Sequence, residues 1–121
     1  MKIVLAEDEF LIADMLVVTL EEAGYEVHDA PHGVAALKLI REQLPDLVIT
    51  DFMMPLMTGL ELAEAIRGDA CLQQIPIVLV SGAQGAIARE RADLFDAVLD
   101  KPYPMDQLLA VIGKLCGRLE R

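Results

Sequence analysis

Short apolar runs alternate along this chain with stretches whose apolar residues recur every three to four positions. KIVLA (residues 2–6) is an aliphatic run and predicts a strand. FLIADMLVVTLEEAG then places Ile12, Leu16, Leu20 and Ala23 on one helical face, and Gly24 ends it. YEVHDA (25–30) is a weaker strand. GVAALKLIREQL carries Leu37, Ile40 and Leu44 at helical spacing, and Pro45 closes it. DLVIT is a buried strand, GLELAEAIRG a helix with Leu62, Ala63 and Ile66 inward, and IPIVLVSG another buried strand. Residues 86–94 predict a short helix and DAVLD a short strand. PMDQLLAVIGKLCGRLER is a last helix with Leu108, Ile112, Leu115 and Leu119 on one face.

Five strand–helix units in succession imply one α/β domain over residues 1–121. The first, third and fourth strands are nearly continuous apolar runs, as parallel strands buried on both faces should be. The expected architecture is an open, doubly wound parallel sheet of five strands with helices on both sides. Ligands of such sheets bind beyond the carboxyl ends of the strands, so the residues just after each strand carry the information.

Those residues are chemically unusual as a set. Glu7 and Asp8 follow the first strand, Asp51 the third, Ser81 and Gly82 the fourth, and Asp100, Lys101 and Pro102 the fifth. Pro31 and His32 after the second offer less. Taken singly each has a plain structural reading. Acids suit a helix N-terminus, Asp51 and Ser81–Gly82 suit turns, and Lys101–Pro102 is ordinary loop sequence. Together they bring three carboxylates, a hydroxyl and an ammonium to one end of the sheet. Carboxylates that close repel each other unless a cation sits among them. One or two carboxylates with water suit Mg²⁺. Asp51 beside such a metal has the character of a nucleophile toward phosphorus, with Lys101 and Ser81 on the phosphoryl oxygens. The Gly82 N–H is open to close approach because no side chain shields it.

Composition narrows the picture. The net charge of −10 disfavours direct binding of nucleic acid and favours basic surfaces or cations. No apolar run reaches the roughly 18 to 20 residues of a membrane span, and the N-terminus does not read as a signal peptide. A cytoplasmic chain is expected, with Cys71 and Cys116 as reduced structural thiols. His28, within a strand, suits packing or the surface, and the methionines suit gap-filling.

The acidic pair Glu7–Asp8, DFMMPLMTG with Asp51, VSGA with Ser81, and Lys101–Pro102 stand in an order and spacing that resemble the response-regulator receiver domains of two-component signalling, the chemotaxis-regulator type included. The resemblance covers essentially the whole chain. It implies a flavodoxin-like strand order 2-1-3-4-5. It implies that Asp51 accepts a phosphoryl group from a phosphohistidine, on a histidine kinase or a histidine phosphotransfer protein. Mg²⁺ (or Mn²⁺) is then expected on Asp8, Asp51 and the Met53 main-chain carbonyl, with Glu7 acting through water. Lys101 pairs with the phosphate, and the Lys101–Pro102 peptide is cis. Ser81 moves toward the phosphoryl group and shifts the face made by the fourth helix, fifth strand and fifth helix. That face serves a downstream protein and, at most, a weak homodimer. The chain is not an enzyme beyond its own phosphotransfer and slow autodephosphorylation. Met1 directly before the first strand favours a stand-alone regulator or an N-terminal domain over an excised one.

The sequence departs from the family pattern at Val98, where most receivers carry Tyr or Phe. Phe95 and Tyr103 are better placed for packing or contacts than as substitutes. Met53 and Ala83 occupy positions that in the family border the hydrolytic water, and neither has an acid or base to activate it. Three competing readings remain. A degenerate receiver would bind proteins without phosphorylation, which the intact acids, Ser81 and Lys101 oppose. An aspartate-nucleophile phosphohydrolase usually needs a second aspartate where Met53 stands. An electron carrier of flavodoxin type would need a hydroxyl-rich first loop, not EDEF.

Overall fold

The computed structural model describes residues 1–82, 85–91 and 93–119, the side chains of 116–119 excepted. In chain order the elements are β1 (Lys2–Ala6), α1 (Phe10–Glu22), β2 (Glu26–Ala30), α2 (Gly33–Gln43) and β3 (Leu47–Asp51). They continue with α3 (Gly59–Arg67), β4 (Ile77–Ser81), α4 (Gly85–Glu90), β5 (Ala97–Asp100) and α5 (Met105–Leu119). The five strands form one sheet in the order β2-β1-β3-β4-β5, every pair parallel. The expected fold class and strand order are both present.

Alternation along the strands sorts the core into two layers. Ile3, Leu5, Leu47, Ile49, Val78, Val80 and Leu99 face α1 and α5, meeting Leu16, Leu20, Leu108 and Ile112. Val4, Ala6, Val48, Ile77 and Leu79 face the other way, onto Ile40 of α2, Leu62 and Ile66 of α3 and Ala88 of α4. Both faces are covered, which is why β1, β3 and β4 read as unbroken apolar runs.

The helix ends show where the sequence reading needs correction. Leu44, expected on the inner face of α2, is the helix cap: it takes a left-handed φ of 46° and is 60% exposed. Ala23 likewise leaves the core and caps α1, while Ala13 is buried in its stead. The helix expected over 86–94 ends at Glu90; beyond it the Arg91 N–H bonds the Ala88 carbonyl and the Leu94 N–H bonds the Arg91 carbonyl, while residue 92 lies outside the described residues. At α3, Thr58 and Glu61 form a reciprocal capping box, each side chain bonding the other's backbone N–H. Gly59 follows because there is no room for more: a Cβ there would run into the Asp51 carbonyl and Leu79. The α3 start is thereby pressed against the end of β3, and Gly59 N–H bonds the Phe52 carbonyl at 2.8 Å.

One long-range feature has no sequence signature. The Arg67 guanidinium, at the end of α3, donates to the carbonyls of Leu94, Gln73 and Ile75 and to the Asp96 carboxylate. Asp96 also accepts the Ile77 N–H. A single side chain thus ties α3 to the entries of β4 and β5.

Candidate functional site

The carboxyl ends of β1, β3, β4 and β5 bring the expected groups together. Glu7, Asp8 and Asp51 each offer a carboxylate oxygen, and these oxygens lie within 4.8 Å of one another. The Lys101 ammonium reaches into the cluster, 3.2 Å from Asp51 Oδ2 and 3.7 Å from Glu7 Oε1. Asp51 Oδ1 accepts the Phe52 N–H at 2.9 Å, which orients the carboxylate over the loop that follows. The Phe52 N–H also bonds the Val80 carbonyl, so that loop is tied to β4.

Ser81 is wholly buried at the end of β4. Its carbonyl accepts the Lys101 N–H at 2.7 Å, and it pairs in register with Asp100. The Lys101–Pro102 peptide is cis, as expected. Thr50, buried beneath Asp51, donates its hydroxyl to the Asp51 carbonyl at 2.9 Å.

Electrostatics inside the cluster are tense. Glu7 is only 4% exposed, and burial pushes its carboxyl up to about 7 against the opposing Glu9 N–H bond; the Asp51 charge raises it further, while Lys101 pulls it back. Burial alone would lower Lys101, but the charges of Asp51 and Glu7 outweigh it and its ammonium is held above its ordinary value. Tyr103, half-buried nearby, is also raised, chiefly by burial. The donor set is hard oxygen throughout, with one fixed cation partly compensating it. That chemistry fits a small divalent cation of the Mg²⁺ type.

The remaining expected residues differ in their surroundings. Gly82 is exposed, and among the described residues a Cβ there would meet nothing within 4 Å. Met53 lies two residues past Asp51 with its side chain 55% exposed. Val98 packs into the layer with Ala88, Leu94 and Phe95, and Phe95 is a core residue. Ala83 lies outside the described residues. Cys71 is a free, exposed thiol, and the Cys116 side chain lies outside the described residues. His28 pairs with Glu26 on the surface of β2. His32 has a role the sequence reading missed: its Nδ1 accepts the Ala35 N–H at 3.1 Å and caps α2. Beside Lys101 opens an apolar cleft of about 510 Å³ lined by Ile12, Met15, Pro102, Tyr103 and Met105. Phe10 and Leu11, at the start of α1, are each more than 70% exposed.

The response regulator receiver domain family matches residues 3–113. The chain is 30% identical to the DNA-binding dual master transcriptional regulator RpaA of Synechocystis, over 99% of this chain and 51% of that protein. It is 29% identical to the polar-differentiation response regulator DivK of Brucella anthropi, over 95% of both chains. The chain spans about half the length of RpaA and of several other regulators it matches. Among solved structures, the signal receiver domain of a histidine kinase from Syntrophus aciditrophicus superposes with a TM-score of 0.91 at 28% identity, covering 99% of this chain and 92% of that one.

Proposed function

The chain belongs to the response regulator receiver family of two-component signalling, and from that premise we propose that Asp51 is its phosphoacceptor. The observation that carries this reading is the convergence of Asp51 with Lys101 and the Glu7–Asp8 pair. An Asp51 oxygen attacks the phosphorus of a phosphohistidine, the P–N bond breaks, and an acyl phosphate forms. Lys101 is within reach of the new phosphoryl oxygens and balances their charge. Ser81 and the Gly82 N–H supply hydrogen bonds on the β4 side. Asp8, Asp51 and the Met53 main-chain carbonyl would hold Mg²⁺ or Mn²⁺, with Glu7 acting through water; the bound ion supplies neutralising charge to the transferring group.

The donor is a histidine kinase or a histidine phosphotransfer protein. The apolar cleft beside Lys101 and the exposed Phe10 and Leu11 favour a protein surface as donor over a small molecule. The output runs through the face of α4, β5 and α5 to a downstream protein. The acidic charge opposes direct nucleic-acid contact by this domain. Among the described residues no helix is long and apolar enough to cross a membrane.

The test is intact-mass measurement after incubation with acetyl phosphate and Mg²⁺. One added phosphoryl group is expected, lost in Asp51→Asn and lost in chelator. Absence of the adduct with acetyl phosphate and with histidine-kinase donors alike would favour a degenerate receiver that binds partners without phosphorylation.

A further inference from the structure

α4 is short, and its hold on the sheet is slight. Ala88 is its one buried side chain among the described residues, and Ile87 is half exposed. The shortest side-chain polar contact of α4 among the described residues is bidentate: Arg89 Nη1 lies 3.2 Å from Asp100 Oδ1, and Nη2 lies 2.8 Å from Oδ2. Arg91, just past the helix, has looser pairs, 3.4 Å to Asp93 and 3.6 Å to Glu64.

The position of Asp100 gives the pair its meaning. Asp100 precedes Lys101 in the chain and pairs in register with Ser81. It therefore touches, through backbone, two groups that line the phosphoacceptor site. Strand alternation puts Asp100 on the same side as Val98, the side of α4. Val98 packs against the layer that includes Ala88 of α4 and carries no polar group toward that site. Two residues further along the same face, the Asp100 carboxylate reaches the helix by gripping Arg89.

We propose that the Arg89–Asp100 ion pair is the element that couples the phosphoacceptor site to α4 in this chain. The proposal rests on Asp51 phosphorylation as read above. A phosphoryl group on Asp51 brings a net gain of about one negative charge and three acceptor oxygens. Lys101 and Ser81 close on it. Asp100, bonded to one and laddered to the other, is displaced with them. A two-point guanidinium–carboxylate contact demands a fixed geometry and tolerates little displacement. The pair loosens, and α4 loses its main polar tether.

The experiment is amide hydrogen exchange over residues 86–91 in the wild type, Arg89→Gln, Asp100→Asn, the double variant and Arg91→Gln, each with and without acetyl phosphate and Mg²⁺. Intact mass is followed in parallel. Both partners are exposed, so folding should survive their loss. Before phosphorylation, Arg89→Gln and Asp100→Asn are expected to exchange about two- to five-fold faster than wild type, and the double variant no faster than either. Phosphorylation is expected to raise wild-type exchange toward that level and to leave Arg89→Gln unchanged, although its mass shows full modification. Arg91→Gln is expected to respond like wild type. Equal responses in wild type and Arg89→Gln, with both phosphorylated, would overturn the coupling while leaving the phosphoacceptor reading intact. No phosphoryl adduct on any chain would overturn both.

Discussion

Glu7 shows how much a residue's chemistry depends on its surroundings. It sits among acids, almost fully buried, with its carboxyl raised from 4.5 to about 7 by burial first. The folded state therefore binds the Glu7 proton more tightly than the unfolded chain does. Its stabilising contribution is fully present below pH 4.5 and is lost as pH rises through about 7. In chelator, urea denaturation at pH 5 and pH 8 should show the wild type losing stability over that interval, and Glu7→Gln losing clearly less. An equal loss in both would mean that Glu7 is not the group responsible. The Glu7–Asp8, Asp51, Ser81 and Lys101 set was legible in the sequence because each residue ends or follows a strand, Asp51 and Ser81 being the last residues of β3 and β4. The His32 cap was not, because imidazole is an uncommon cap and nothing in its neighbours announces one. The left-handed residues were hidden for a similar reason: Leu44 and Leu56 have φ of 46° and 70°, where glycine or asparagine would have been the signal.

At the scale of elements, strands were easier to read than helix ends. An unbroken apolar run has one explanation in a parallel sheet, whereas a helix can stop within several residues of where its pattern fades. α4 is the case in point: the apolar positions continue to Leu94, but the helix ends at Glu90 and Leu94 is buried from a turn. Arg67 was the least legible, because its acceptors are set by the approach of α3 to β4 and β5 and not by local sequence. Arg67→Met should cost about 2 kcal/mol, since it strips charged donors from carbonyls that lie partly buried. Chemical denaturation measures this, and a cost within error of zero would show that water replaces the guanidinium readily. The capping box at Thr58 and Glu61 could have been read directly from its spacing.

At the scale of the whole molecule, the charge of −10 makes cations natural ligands. A divalent ion that binds the folded chain and not the unfolded one raises stability by mass action, by about 2.7 kcal/mol at a hundredfold excess over Kd. Thermal unfolding with and without Mg²⁺ should show an upward shift that disappears in chelator and shrinks in Asp8→Asn. A shift that persists unchanged in Asp8→Asn would place the ion elsewhere. The parallel, doubly wound sheet followed from periodicity, because β1, β3 and β4 are buried on both faces, and the strand order followed from the family likeness.

The strand order also determines which backbones lie unpaired on one side. β2 and β5 are the outer strands, and each would offer a free ladder to any passing extended chain. β5 is only four residues long and is bracketed by Asp96 and Asp100, whose carboxylates are already gripped by Arg67 and Arg89. β2 carries Glu26 and Asp29 on exposed positions. A strand docking at either margin would meet charge before it met hydrogen-bond partners. At β5 the arginine pairs that fasten α3 and α4 thus also crowd the margin where an added strand would have to pair.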